Sequence, residues 1–309
     1  MNEHPVLANG RLRLVVSNQC NLDCSYCHNE GQAKGRDYMS LELAHVLRQA
    51  LEGVGIASAT ITGGEPLLHP HLEQLVGEFA DLALETTLVT NGCLLTPRVL
   101  ERLRESGLSK IRLGVDSVAG DRSRPTPKPT KGLDVSRLVH EIREAGLGLE
   151  INCVLSAFNR GTLVSFLEFV MSNGVPTKFF EHVEIDFAAG VEHQGVAKAA
   201  PEVQRSEFET ALASVAPDMV ATESSDFGGA NFVYSALGTS IRYCSYLCQY
   251  GLCHLTGTRV DPLGQVYVCM AQQRQFRIGV DSSIEQVREV LRASLLAGCV
   301  NAQPPRAGD

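Results

Sequence analysis

The sequence predicts an α/β chain: a partial, TIM-like parallel barrel of six β/α units, followed by a cysteine-bearing C-terminal region of different character. Three observations predict it. From residue 11 to about 185, short apolar runs alternate with amphipathic stretches of helical period, the pattern of parallel β/α units. Helix start and stop residues fall at the ends of those stretches. Beyond residue 185 the alternation gives way to loop-like sequence and short strands among glycines and cysteines.

In order, the strands are expected at Arg11–Ser17, Ala57–Thr62, Glu85–Thr90, Lys110–Val115, Leu147–Leu155 and Thr177–Glu184. Between them, helices are expected at Leu41–Glu52, His71–Leu82, Pro97–Ser106, Asp134–Ala145 and Thr162–Ser172. Ser40 suits an N-cap, as does Thr96 followed by Pro97. Glycines 53, 107, 146 and 174 stand where four helices should close. Six units fall short of the eight of a closed barrel, and active residues belong at the carboxyl ends of the strands. Ser117–Lys131, with Pro125, Pro127 and Pro129 among four basic residues, reads as an exposed loop: a solvated linker or a substrate lid. Further on, Pro201–Val215 is a helix candidate, Met219–Gly279 holds short strands, and a last amphipathic helix runs from about Ser282 to Leu296. The domains expected are therefore residues 1–200, the barrel, and residues 201–309, the C-terminal region.

With 44% hydrophobic and 20% charged residues, the chain has the balance of a protein with a real core. No run approaches the roughly 18 apolar residues of a membrane span. The first ten residues lack the pattern of a signal peptide, so a cytoplasmic protein is expected. A formal net charge of −8 argues against a general nucleic-acid surface, so a small molecule or a short peptide is the expected partner.

Seven of the ten cysteines fall in two tight groups, Cys20/Cys24/Cys27 and Cys244/Cys248/Cys253/Cys269. In a reducing compartment such grouping points to metal or cluster ligation rather than disulfides. Cys93, Cys153 and Cys299 stand alone and read as small buried hydrophobes.

The first group is a C-x3-C-x2-C set directly after the first strand. Three thiolates can bind three irons of a four-iron cluster and leave the fourth open. A zinc site would want a fourth ligand, for which His28 is the candidate. The spacing, with aromatic Tyr26 before the third cysteine, closely resembles the radical S-adenosylmethionine (SAM) superfamily. The resemblance continues through Thr62-Gly63-Gly64-Glu65-Pro66 after the second strand, Thr90-Asn91-Gly92 after the third and Asp116 after the fourth. It implies a [4Fe-4S] cluster on Cys20, Cys24 and Cys27, with SAM chelated at the open iron. It also implies cofactor contacts from Tyr26, Gly63, Gly64, Glu65, Pro66, Asn91 and Asp116. Reductive cleavage of SAM would yield a 5′-deoxyadenosyl radical, with flavodoxin or ferredoxin as electron donor. Glu65 is expected to offer its charge near the SAM ammonium.

The four thiolates of Cys244, Cys248, Cys253 and Cys269 could hold zinc or a second iron–sulfur cluster; they resemble the half-length auxiliary-cluster ("twitch", SPASM-like) region of some members. That implies a second iron–sulfur cluster, of the [4Fe-4S] type, in a C-terminal subdomain. Cys253 and Cys269 are its firmest candidates; either Cys244 or Cys248 could instead be left over as a hydrogen-atom donor.

Over most of its length the chain is similar to the GTP 3′,8-cyclase family of molybdenum-cofactor biosynthesis. Arg13 is the one triphosphate-type contact it keeps. Thr60 stands where that family has an arginine, Glu150 where it has a lysine, and His254-Leu255-Thr256 where it has an Arg-x-Arg pair. The loss of these cations predicts a different substrate, because each charge-assisted contact contributes about 1.5–3 kcal/mol. Glu150 would repel phosphates or accept a cationic group.

The function expected is hydrogen abstraction from a small nucleoside, sugar or amino-acid type molecule in natural product biosynthesis. The alternatives are a ribosomal-peptide maturase, a GTP 3′,8-cyclase, and a scaffold without SAM chemistry. Only ten residues precede the first strand, which favours a small molecule over a peptide.

Overall fold

In the computed structural model, the described residues are 10–32, 34–52, 54, 56–82, 85–118, 133–182, 202–223, 231–236, 239–245, 257–268 and 276–296. The first half alternates strand and helix: β1 (Arg11–Ser17), α1 (Leu41–Leu51), β2 (Ser58–Gly63), α2 (Leu72–Ala80), β3 (Glu85–Thr90) and α3 (Pro97–Glu105). There follow β4 (Lys110–Gly114), α4 (Val135–Glu144), β5 (Gly148–Leu155), α5 (Leu163–Ser172) and β6 (Thr177–Glu181). The remainder comprises α6 (Arg205–Val215), β7 (Val220–Glu223), β8 (Asn231–Ala236), β9 (Thr239–Cys244), β10 (Thr258–Val260), β11 (Gln265–Tyr267), β12 (Phe276–Arg277) and α7 (Ile284–Leu296).

The expected punctuation is present. Ser40 accepts a hydrogen bond from the Leu43 amide at 3.1 Å, and Thr96 caps α3 through the Val99 amide at 3.3 Å. Asp134 does the same for α4 through the Arg137 amide at 3.0 Å.

β1 to β6 pair in sequence order and in parallel, giving the α/β partial barrel. The C-terminal strands extend this same sheet at both edges. β10 lies parallel to β1, with Arg259 opposite Arg13, and carries β11 and β12 antiparallel beyond it. β9 lies parallel to β6, with β8 and β7 antiparallel beyond it.

Two faces result from the period of two along each strand. Leu12, Leu14, Ile61, Leu88, Ile111, Leu113, Ile151, Phe179, Ile241 and Val260 are fully buried beneath the helices. Each contributes about 1.5–3 kcal/mol by leaving water. An aromatic chain ties the β9 edge to the barrel: Phe166 of α5 meets Phe179 at 5.8 Å between centroids, Phe179 meets Phe208 of α6 at 5.0 Å, and Phe208 meets Tyr243 at 5.1 Å. At the other edge, Arg288 of α7 donates to the carbonyls of Ala50 and Gln49 at the end of α1.

Residues of opposite parity share the inner face. They include Arg13, Thr60, Thr62, Arg112, Gly114, Glu150, Asn152, Lys178, Arg242, Cys244 and Arg259. Among the described residues, no helix is long and apolar enough to cross a membrane. Residues 119–131 of the proline-rich segment, Cys248, Cys253, Cys269, Cys299 and His254-Leu255-Thr256 lie outside the described residues.

Candidate cofactor site

The three cysteines of the first group follow β1 at its carboxyl end, where a parallel sheet leaves its loops free to hold ligands. Cys20 and Cys24 are half-buried and Cys27 is exposed. The loop is folded by short-range bonds: the Cys27 amide donates to the Cys24 carbonyl at 3.1 Å. Two backbone amides point at sulfur, Leu22 N–H toward Cys20 Sγ at 3.3 Å and Asn29 N–H toward Cys27 Sγ at 3.4 Å. Donors to sulfur favour the thiolate and are among the contacts that tune iron–sulfur clusters.

The glycine segment after β2 is pressed against the start of this loop. Gly64 N–H donates to the Ser17 carbonyl and Glu65 N–H to the Gln19 carbonyl, both at 2.8 Å. The approach demands glycine. A Cβ on Gly63 would lie 2.4 Å from the Ser17 oxygen, and one on Gly64 would lie 2.3 Å from the Gln19 oxygen. Gly63 also has φ +154°, which L side chains rarely adopt.

Glu65 is held by the protein itself. Its side chain is fully buried and turned into the fold: Oε1 accepts from Thr90 Oγ1 at 2.7 Å and Leu67 N–H at 3.1 Å, and Oε2 accepts from Asn91 N–H at 2.8 Å. A buried carboxylate is tolerated where donors satisfy it, and here they tie the end of β2 to the end of β3. Pro66 is buried behind it, at the start of a short 3-10 turn. Asn91 continues the brace, donating from Nδ2 to Asn21 Oδ1 at 2.7 Å.

Asp116 and Tyr26 come together. The Tyr26 hydroxyl donates to Asp116 Oδ2, and Val154 N–H of β5 donates to Asp116 Oδ1 at 2.8 Å. The cysteine loop is thereby tied across the mouth to β4 and β5. Tyr26 also meets His182 edge-on at 6.2 Å, and His182 Nδ1 pairs with Glu202 at 3.0 Å.

Arg13 and Glu150 are placed on the inner face, each in an ion pair. Arg13 Nη2 donates to Glu30 Oε1 at 2.5 Å. Glu150 takes Arg112 Nε at 2.6 Å and Lys178 Nζ at 2.8 Å, one on each oxygen. Burial pushes the Glu150 carboxyl up, and Arg112 and Lys178 more than offset it, holding it below the usual range. Cations do stand elsewhere on this face. Thr60 is uncharged, yet Arg112, Lys178, Arg242 and Arg259 join Arg13 on the inner face. Alternation along Lys110-Ile-Arg112 and Ser240-Ile-Arg242 carried that signal in the sequence.

Cys244, the described member of the second group, ends β9 on the inner face opposite Phe180. Burial pushes its thiol up to about 12, against the pull of Lys178 and Arg242.

The donor set fits an iron–sulfur cluster. Among the described residues no three His, Cys, Asp or Glu side chains converge on a point that would hold a single metal ion. A four-iron cluster asks instead for separate thiolates, each on its own iron. Three thiols on one loop, two of them with amides aimed at sulfur, meet that demand. Residues 14–170, half of the 309-residue chain, match the family described as the Radical SAM superfamily.

The chain belongs to the radical SAM superfamily.

Its curated relatives include proteins named GTP 3′,8-cyclase or probable GTP 3′,8-cyclase. It is 31% identical over 188 residues to a probable GTP 3′,8-cyclase of Pyrobaculum aerophilum, covering 59% of this chain and 60% of that protein. A probable GTP 3′,8-cyclase of Archaeoglobus fulgidus is 34% identical over 166 residues, 52% of this chain and 54% of that one. The GTP 3′,8-cyclase of Mycobacterium marinum is 33% identical over 186 residues, 57% and 51% of the two. The matches thus span about half to three-fifths of these relatives' length. Among solved structures, Streptococcus suis SuiB bound to S-adenosylmethionine superposes with TM-score 0.63 at 16% identity, over 92% of this chain and 67% of that one. The structure of anSMEcpe with bound AdoMet and Cp18Cys peptide gives 0.58 at 17%, over 91% and 81%. At these identities the radical SAM fold is what is shared.

Proposed function

We propose that this chain is an enzyme that reductively cleaves SAM and abstracts hydrogen from a small molecule bearing an acidic group, of nucleoside, sugar or amino-acid type. One observation carries the reading: a loop of three thiols stands at the carboxyl end of β1, beside an inner strand face on which cations outnumber carboxylates. When bound, a [4Fe-4S] cluster with SAM supplies the one-electron cleavage and the hydrogen-abstracting radical. Cys20, Cys24 and Cys27 would hold three of its irons. The backbone of Gly63 to Pro66, with Asn91, Asp116 and Tyr26, would line the SAM side, while Glu65 braces the segment that presents it. Cys244, Cys248, Cys253 and Cys269 would supply an auxiliary cluster in a region from about residue 201. A flavodoxin or ferredoxin would deliver the electron, in the cytoplasm, and the pathway would be one of natural product biosynthesis.

The test is anaerobic reconstitution with iron and sulfide, then dithionite and SAM. Formation of 5′-deoxyadenosine is expected. Fully loaded protein that never forms it sinks the reading. Joint replacement of Cys20, Cys24 and Cys27 by Ala should remove one cluster's iron and leave the other's; loss of all iron would sink the auxiliary cluster.

The second reading is a GTP 3′,8-cyclase, favoured by the named relatives. Incubating the same loaded protein with GTP and SAM decides it, by whether GTP is consumed with 5′-deoxyadenosine formed alongside.

A further inference from the structure

Glu30 lies three residues beyond Cys27 and takes no part in the reading above. Its backbone has φ 53°, and that of Asn29 before it φ 47°, a region non-glycine residues occupy only where their surroundings fix them. The surroundings are explicit. Glu30 Oε1 accepts from Arg13 Nη2 of β1 at 2.5 Å and from Thr62 Oγ1 of β2 at 3.2 Å. Its Oε2 accepts from Arg259 Nε of β10 at 2.9 Å, and its carbonyl from the Tyr267 hydroxyl of β11 at 2.8 Å. Arg259 Nη1 reaches on to the Val268 carbonyl at 2.7 Å. Glu30 is 8% exposed and Arg259 5%. Burial would raise the Glu30 carboxyl, yet Arg13 and Arg259 hold it well below the usual range.

A buried ion pair is weak support for stability, and its best-attested use is to fix one arrangement among several. Here the acid sits at the exit of the cysteine loop, and one base sits 229 residues further on. The strand carrying that base forms a hairpin whose end, Val268, directly precedes Cys269.

We infer that Glu30 is a positioning residue that locks the exit of the cysteine loop to the β10–β11 hairpin, so that loop and hairpin are held as one body. The role rests on the reading that Cys20, Cys24 and Cys27 hold the cluster. It also commits Arg13 and Arg259, the paired inner-face cations of β1 and β10, to an internal anion.

The test uses the full chain with two mild hairpin changes, Tyr267→Phe and Arg259→Lys, and with Glu30→Gln. In metal-free protein, amide hydrogen exchange is followed at Cys27 and Gln32, whose amides bond within the loop to Cys24 and Asn29. Each hairpin variant should speed exchange there about tenfold, the effect of one lost hydrogen bond, and leave β3 to β5 unchanged. Unchanged exchange at the loop in both hairpin variants overturns the inference. In reconstituted protein, Glu30→Gln should bind the parent's iron but raise the midpoint potential of the loop cluster, because a negative charge is removed beside it. Should Glu30→Gln fail to fold, the hairpin variants decide alone. If the triple Cys→Ala variant kept the parent's iron, the cluster reading would fail instead, and the exchange result would still judge the clamp.

Discussion

Glu65 offers the sharpest separation between bracing and ligand contact. Replacing it by Gln keeps the shape and keeps Oε1, which takes the Thr90 hydroxyl and Leu67 N–H. The new amide group, however, would face Asn91 N–H across the 2.8 Å now spanned by Oε2, donor against donor. One charge-assisted bond is lost, worth about 1.5–3 kcal/mol, and a buried N–H is left unpaired. The side chain is fully buried, so water does not soften the loss. Together these predict destabilisation of about 2–4 kcal/mol, which for a chain of this size is a fall in Tm of about 4–8 °C. The assay is thermal and urea unfolding of metal-free protein, where no cofactor can contribute. A variant within about 0.5 kcal/mol of the parent, with the defect seen only in SAM binding, would refute the bracing role and restore the ammonium contact.

Three further outcomes follow from the same geometry. Gly64→Ala would set a methyl 2.3 Å from the Gln19 oxygen and 3.1 Å from Cys20 Cβ, so it should cost about 1–3 kcal/mol and lower the iron retained after reconstitution severalfold; unfolding and iron assay check both. Arg112→Met leaves Glu150 with Lys178 alone and should destabilise by about 3 kcal/mol, much of it recovered in the Arg112→Met, Glu150→Leu pair, as measured by urea unfolding. Glu30 has its folded pKa depressed, so the stability it contributes is full above its unfolded value of about 4.3 and is lost as pH falls below it. Thermal unfolding from pH 7 to pH 3.5 should show a decline at the acid end that Glu30→Gln lacks; parallel curves would refute it.

The six β/α units were legible because their signals are local. Apolar alternation set β1 to β6, and Ser40, Thr96 and Asp134 marked helix starts within a residue or two. The cysteine loop was legible for the same reason, its spacing lying within eight residues. What was not legible is non-local. β10 is three residues long, and nothing in Thr258–Val260 says that it pairs with β1. Glu30 reads as an ordinary loop residue because its partners lie 17 residues before it and 229 after. The burial of Glu65 was not legible for a different reason. A carboxylate in a glycine-rich turn suggests an exposed charge, and only the closeness of β2 and β3 turns it inward.

Two carboxylates beside the inner face stand in like surroundings: Glu30 between Arg13 and Arg259, Glu150 between Arg112 and Lys178. Each group carries one positive charge more than negative, so the face is cationic although the chain as a whole has net charge −8. A triphosphate could claim those cations only by drawing guanidinium groups away from a carboxylate that would then be left buried without a partner. Breaking a buried pair in that way costs about 3–5 kcal/mol, which the new contacts would have to exceed at both places. A substrate with a single acidic group meets no such demand, because it adds to the surplus charge of one group and leaves both carboxylates paired. A densely charged group would thus meet inner-face cations that already hold carboxylates.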